Sequence, residues 1–214
     1  MVVYLEAVIL YIYIFFSGFF FTGTAETGAF PIPPELLKIL LYLLPSIAII
    51  WILLYRSRKI EYIIIKPGIK DLIALVITYP ALLTSGFAVS LFASLTGTVS
   101  NQAFFNSPSS VSAWILISVY CLLSALLEES FFRYYLLVKK DELRLKIPLV
   151  IAISVFLFSV CHLRDGLWGM LNAAIAGFVL CLVFIKFKSF YGIVTAHWFY
   201  NMTALIINAF NNPS

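Results

Sequence analysis

Charge is what this sequence has least of. Only 11% of its 214 residues are Asp, Glu, Lys or Arg, whereas 63% are hydrophobic, and the mean hydropathy is +1.04. Soluble domains carry about 25% charged residues, so this composition excludes a soluble catalytic module. The formal net charge of +4 is small, and no basic patch with interleaved aromatic residues is present. The sequence therefore gives no reason to expect a nucleic-acid partner.

Cysteine and histidine are also scarce. The three cysteines, Cys121, Cys161 and Cys181, all fall inside apolar segments, and none forms a C-x-x-C pair. Free cysteine is among the residue types most often buried, so we expect three buried thiols and no disulfide framework. The two histidines, His162 and His197, are far apart in the chain and form no H-E-x-x-H motif. The spacing that is typical of zinc peptidases is therefore absent.

Long apolar runs dominate the chain instead. A spanning helix needs about 20 apolar residues, and the stretches that approach this length are 3–21, 36–55, 72–95, 113–138, 147–163, 168–187 and 190–210. No basic segment precedes the first run, so we expect it to be a permanent span and not a removable signal peptide. The sequence predicts an all-α fold, a polytopic membrane bundle of about seven transmembrane helices. We expect a single integral membrane domain over residues 1–214.

The connectors between these runs predict an orientation. Connectors 56–70, 139–146 and 186–188 together hold 11 of the 14 Lys and Arg residues, whereas the connectors between them hold few or none. Cytoplasmic loops of membrane proteins collect basic residues. We therefore expect a multi-pass protein of the cell membrane with its N-terminus in the cytoplasm and its C-terminus outside.

Three charged residues stand inside the fourth run, where a charge costs between about 2.5 and more than 10 kcal/mol. Glu129 and Arg133 are four residues apart with the acid first, which favours an ion pair along one helix face. Glu128 then points about 100° away from that pair. Its carboxylate is therefore the group that remains available for chemistry.

Two other runs carry polar groups of the kind that catalyse reactions. His162 follows Phe158 by four residues near the end of the fifth run, and His197 and Asn201 are four apart in the seventh. A single histidine inside a membrane helix more often makes a packing hydrogen bond. Carboxylate, imidazole and amide groups on three helices can together hold a water molecule, remove its proton and stabilise an oxyanion. This combination favours hydrolysis.

The motifs E-E-x-x-x-R, F-x-x-x-H and H-x-x-x-N occur in this order within residues 112–208. In a membrane context they resemble the CAAX-protease and bacteriocin-processing (CPBP) family of intramembrane peptidases, also called the Abi family. The resemblance implies that residues 112–210 form a catalytic core of four helices. The first three spans, within residues 1–111, match no family pattern and are taken as accessory.

The resemblance also implies roles for individual residues. Glu128 would be the base that activates water, and His162 would help to hold that water. His197 and Asn201 would line the oxyanion hole. The residues that would support the site are Glu129, Arg133 and Phe158.

The substrate that the resemblance implies is a peptide or protein, with or without a lipid group. Family members cleave isoprenylated CAAX carboxyl termini, process leader peptides, or are linked to bacteriocin immunity, and the motifs do not distinguish these activities. Membrane lipids are the other expected partners. The sequence leaves the oligomeric state open.

Three alternatives remain open. In the first, a zinc ion would be held by Glu128, His162 and His197, but the spacing does not favour it and no carboxylate is evident to hold the second nitrogen of either histidine. We therefore expect no cofactor, with zinc as the variant. The second alternative is a proton-coupled carrier, because Glu and His inside spans also form proton relays. The third is a non-enzymatic immunity protein of the membrane.

Overall fold

The computed structural model describes residues 2–16, 33–57, 67–97, 108 and 110–211, and these contain helices, turns and no strand. Helix α1 (Val2–Tyr11) continues as a π-helical turn (Ile12–Phe16). The other helices are α2 (Pro34–Arg56), α3 (Ile69–Leu95), α4 (Val111–Val138), α5 (Ile147–Cys161), α6 (Gly166–Phe187) and α7 (Phe190–Asn211). A short 3-10 turn, Leu163–Asp165, joins α5 to α6.

The predicted all-α membrane bundle is confirmed. Among the described residues, each of the seven predicted runs overlaps one helix, with ends that differ by a few residues. By length and composition, α2, α3, α4 and α6 with its preceding turn can cross a membrane, while Val3–Phe16 and Ile147–Cys161 are shorter apolar helices. Part of the prediction lies outside the described residues, namely positions 17–21 of the first run and the basic residues Arg58, Lys59 and Lys66.

Three of the helices contain a π-helical turn, in which the backbone is one residue wider than in an α-helix. In α2 this turn covers Ile39–Leu43 and comes just before Pro45, which has no N–H to donate. In α4 it covers Ser130–Tyr135 and begins directly after Glu129. All six of its residues are buried, so α4 is surrounded by protein on every side at this turn.

The bundle is built by α7 against α3 and α4, α6 against α3 and α5, and α2 against α4. At the crossing of α3 and α7, a Cβ atom on Gly192 would lie 2.5 Å from the backbone oxygen of Asp71 and 2.8 Å from the Cβ of Ala74. Only glycine permits this approach. The Asp71 carboxylate accepts hydrogen bonds from the N–H groups of Gly68 (2.9 Å) and Gly192 (3.3 Å) and from the Ser189 hydroxyl. One side chain therefore joins the starts of α3 and α7.

Although α1 is largely apolar, two of its polar side chains attach it to α4 and α5. Glu6 forms an ion pair of 2.8 Å with Lys139, at the end of α4, and accepts a hydrogen bond from the Tyr135 hydroxyl. The Tyr11 hydroxyl donates to the backbone oxygen of Leu157 in α5 at 2.9 Å. On the other side of the bundle, Asn172 Nδ2 of α6 donates to the Tyr200 hydroxyl of α7 at 2.7 Å.

Candidate active site

The charged segment of α4 faces the inside of the bundle, with Glu128 partly buried. The side chains of Glu129 and Arg133 are both fully buried, and Arg133 Nη1 lies 3.2 Å from Glu129 Oε1. The ion pair predicted from their spacing is confirmed. The pair begins on the last α-helical residue before the π-helical turn, so its arginine stands on the widened part of the helix.

Arg133 is enclosed by groups from two further helices. Its guanidinium carbon lies 4.4 Å from the centre of the Phe158 ring on α5, and Nη2 donates to the backbone oxygen of Gly177 on α6 at 3.3 Å. A Cβ atom on Gly177 would stand 3.0 Å from the Phe158 ring and 3.3 Å from Nη2. Gly177 was not among the site residues predicted from the sequence. Its signal was the pair of small residues Ala173 and Gly177, four apart, since small residues mark close contacts between membrane helices.

Glu129 does more than neutralise the arginine. Its Oε1 also lies 2.8 Å from Nδ1 of His197 on α7. An ionised carboxylate only accepts hydrogen bonds, so Nδ1 carries the hydrogen and the ring orientation is fixed by Glu129. This leaves His197 Nε2 on the other edge of the ring, facing Glu128 Oε2 at 3.6 Å. Adjacent glutamates on α4 thus address opposite edges of one imidazole.

Glu128 has one oxygen engaged and one available. Ser124 Oγ, one helical turn earlier, donates to Oε1 at 3.0 Å. Oε2 is buried and has no hydrogen-bond partner among the described residues, because the 3.6 Å to His197 Nε2 exceeds hydrogen-bond length. Ser124 was also not predicted, although a serine four residues before a glutamate on a helix lies on the same face and can hydrogen-bond to it.

The charges in this cluster do not balance unless one more proton is present. With Glu128 and Glu129 ionised and Arg133 positive, a neutral His197 leaves one net negative charge inside the bundle. An uncompensated buried charge is costly, and the facing atoms of Glu128 and His197 are the groups that can hold a further proton.

The second histidine is brought to the same aromatic ring. His162 ends α5, and its Nδ1 lies 3.0 Å from the backbone oxygen of Phe158, which only accepts, so Nδ1 is the donor. In the neutral ring Nε2 then has a free lone pair. The Phe158 ring centre is 5.0 Å from that of His162 and 6.0 Å from that of His197. The two histidines thus flank one phenylalanine.

Asn201 is the least connected of the predicted site residues. It lies one turn beyond His197 on α7 and is half-buried. No side chain or backbone group of the described ranges hydrogen-bonds to it. The structure leaves its amide group available to a ligand without joining it to the other site residues.

The zinc variant meets one supporting and one opposing observation. Glu129 holds the second nitrogen of His197, so the sequence argument that no carboxylate does so is wrong for this histidine. Carboxylates in that position commonly support metal-ligating histidines. Nevertheless, no three His, Cys, Asp or Glu side chains converge in a metal-binding group within the part of the chain that is described.

Comparison with known proteins gives one match. Residues 110–203 match the family model described as type II CAAX prenyl endopeptidase Rce1-like. The matched segment begins just before α4 and contains every residue of the candidate site, from Ser124 to Asn201. No curated protein and no solved structure matches the chain. The match confirms the family resemblance of the three motifs. Over residues 110–203, the chain is similar to the Rce1-like family of type II CAAX prenyl endopeptidases, as the resemblance to the CAAX-protease and bacteriocin-processing membrane peptidases predicted.

Proposed function

We propose that this protein is an intramembrane endopeptidase in which Glu128 activates the attacking water. The observation that carries the proposal is the buried, unpartnered Oε2 of Glu128, which faces Nε2 of a histidine whose other nitrogen is fixed. A general base must have a free acceptor atom where the water binds. Glu128 Oε2 meets that requirement inside a bundle whose family cleaves peptides.

The reaction follows from the atoms that are available. Water donates one hydrogen to Glu128 Oε2 and the other to the Nε2 lone pair of His162. Its oxygen attacks the carbonyl carbon of the substrate as Glu128 takes the proton. With the further proton of the cluster on His197 Nε2, the oxyanion that forms accepts hydrogen bonds from the imidazolium Nε2–H and from the Asn201 amide. Glu128 then delivers the proton to the amide nitrogen, and the C–N bond breaks.

Glu129, Arg133 and Phe158 support the site without touching the substrate. Glu129 holds the Nδ1–H of His197, so that Nε2 points toward Glu128 and the proposed position of the water. Arg133 holds Glu129 and is itself held by the Phe158 ring and Gly177. These contacts fix the imidazole before the substrate arrives, which is how preorganised donors stabilise a transition state.

We further propose a multi-pass arrangement with the N-terminus in the cytoplasm and the C-terminus outside. Residues 112–210 carry the catalysis and residues 1–111 are accessory, within one integral domain. The substrate class that the family supports is a CAAX-type carboxyl terminus, with leader-peptide or bacteriocin-related processing as the second class. A panel of prenylated and unprenylated CAAX peptides and a leader peptide would separate these classes by the product that each yields.

The decisive test is the variant Glu128→Gln, which preserves size and removes the base. We expect hydrolysis of a prenylated CAAX peptide by the purified protein to fall by about 10²–10⁴-fold. The matched control is Glu142→Gln, since Glu142 is an exposed carboxylate in the connector after α4. Retention of wild-type turnover by Glu128→Gln would overturn the proposed mechanism.

The metal question needs a separate measurement. Metal analysis of active protein and of Glu128→Gln, with chelator treatment of each, distinguishes a glutamate-activated water from a zinc-bound one. We expect activity that survives the chelator and no metal in stoichiometric amount. One tightly held zinc per active chain, lost in Glu128→Gln and His197→Gln, would assign the site to a metallopeptidase.

The facing carboxylate of Glu128 and imidazole of His197 also favour a second candidate, a proton-coupled carrier. Such a protein would move protons across sealed liposomes with its substrate, and Glu128→Gln would stop that movement. Peptide hydrolysis without proton movement would exclude this candidate.

A further inference from the structure

A large apolar cavity lies apart from the candidate active site, between α1, α4 and α5. Its volume is about 670 Å³, and its lining is almost wholly hydrophobic. One end is formed by Tyr4 and by Leu143 and Leu145 of the connector after α4. The other end is formed by Phe16 and Leu157.

The length of this cavity matches one lipid chain. Helix α1 lines it from Tyr4 to Phe16, a distance of roughly 18 Å at the rise of an α-helix. One leaflet of a bilayer provides about half of the roughly 30 Å hydrocarbon core. A single acyl chain can therefore occupy the cavity along its length, whereas a folded peptide segment would leave its backbone groups without partners.

Among the described residues, the charges beside the cavity lie at the end of the connector, and the acids there, Glu6, Asp141 and Glu142, are each paired with a lysine. Arg144 and Lys146 flank Leu145, which lines the cavity, and both basic side chains are exposed. No described residue pairs with either of them. At the opposite end the lining side chains are apolar. A ligand that fits this distribution has an anionic head at the connector and an apolar tail that points into the bundle.

We propose that this cavity binds an anionic phospholipid of the membrane, with one acyl chain in the cavity and the phosphate on Arg144 and Lys146. A prenylated substrate fits less well, because its polar end would have to lie at the inner, apolar end to reach the active site. The Tyr4 hydroxyl donates to the backbone oxygen of Leu143, so α1 and the basic connector form the entrance together.

The bound chain would contact the catalytic helix. Phe131, in the π-helical turn of α4, lines the cavity two residues from both Glu129 and Arg133. Occupancy by a lipid chain fills space next to this turn and stabilises its packing. The proposal does not depend on the peptidase mechanism, because lipid binding is measured without turnover.

The test compares two lipids with the same acyl chains on the purified full chain. Native mass spectrometry in detergent should show that phosphatidylglycerol is retained more strongly than phosphatidylcholine. In Arg144→Asn/Lys146→Gln we expect the affinity for phosphatidylglycerol to fall by about tenfold or more, because each basic residue near an anionic lipid contributes to binding. The affinity for phosphatidylcholine should not change.

The chain offers a closely matched control. Lys188, like Arg144, has a left-handed backbone conformation in a basic connector, with φ of 51° against 47°. Asparagine tolerates this conformation. The control Lys186→Gln/Lys188→Asn therefore removes two positive charges elsewhere, with Asn again at the left-handed position and Gln at the other. We expect it to bind both lipids as the wild type does. Ala7→Phe, which fills the cavity, should weaken the binding of both lipids.

Several outcomes would overturn the proposal. One is equal retention of the two lipids by the wild type, and another is unchanged phosphatidylglycerol binding in Arg144→Asn/Lys146→Gln. If a farnesylated peptide displaced the lipid and its own binding were unaffected by that variant, the cavity would be a substrate site. Binding of phosphatidylglycerol that persisted in Ala7→Phe would place the lipid elsewhere.

Discussion

At the scale of single residues, the decisive atom of the candidate site is Oε1 of Glu129. It lies 3.2 Å from Arg133 Nη1 on its own helix and 2.8 Å from His197 Nδ1 on α7, so one oxygen contacts a charged group within α4 and an imidazole on α7. Sequence spacing predicted the first contact and could not predict the second, because a contact between α4 and α7 depends on how the helices pack. Glu129 is consequently both the partner of a buried cation and the group that orients the imidazole of His197, for which we propose a catalytic role.

Removal of the buried arginine should therefore destabilise the fold. Arg133→Met leaves Glu129 buried without its cation, and we expect the free energy of unfolding to fall by about 3–5 kcal/mol. In the double variant Glu129→Gln/Arg133→Met no uncompensated charge remains, so most of the stability should return. Unfolding by denaturant in detergent measures both.

Peptide hydrolysis should not return with the stability in that double variant, because a neutral amide holds His197 more weakly than a carboxylate does. If the double variant were as unstable as Arg133→Met, the buried charge would not be the cause. If it were fully active, Glu129 would not orient the histidine.

A second prediction at this scale concerns Gly177. In Gly177→Ala the added methyl group meets the Phe158 ring at 3.0 Å and Arg133 Nη2 at 3.3 Å. Overpacking of this kind costs about 1–3 kcal/mol of stability, and displacement of Phe158 should also reduce turnover. Adding Phe158→Leu makes room for the methyl group and should restore part of the stability, as measured by thermal unfolding. Equal stability of Gly177→Ala and wild type would show that Phe158 and Arg133 move to accommodate the methyl group without a loss of stability.

At the scale of elements, the sequence predicted the helices but not the π-helical turns within them. Apolar runs and basic connectors predicted the seven helices of the described residues, since each signal is an average over about 20 residues. The π-helical turns were not predicted, because widening a helix by one residue leaves its hydropathy unchanged. The three motifs predicted which helices meet at the site. They could not predict Gly177, whose role depends on the position of Arg133.

A side-chain hydrogen bond ties the π-helical turn of α4 to α2. Trp51 Nε1 donates to the buried Ser130 Oγ at 3.1 Å. We expect Trp51→Phe and Ser130→Ala each to lower the free energy of unfolding, with a coupling of about 0.5–1.5 kcal/mol in the double-mutant cycle. Additive effects would show that the bond does not contribute to the attachment of α2.

At the scale of the whole molecule, the proposed orientation can be tested directly. In a background without Cys121, Cys161 and Cys181, a cysteine at the exposed position Glu142 should react with an impermeant thiol reagent only from the cytoplasmic side. A cysteine at Asn211, the last residue of α7, should react only from outside. Labelling of both positions from one side would contradict the seven-span arrangement.

The carboxylate of Asp71 has a mechanical consequence for the bundle. Gly68 at the start of α3 and both Ser189 and Gly192 at the start of α7 share this one acceptor, and the missing side chain of Gly192 lets the two backbones touch. Sliding or spreading these helices would break the hydrogen bonds from Ser189 and Gly192 together. The two helices are therefore clamped at this end, which gives α7, and with it His197, a fixed anchoring point.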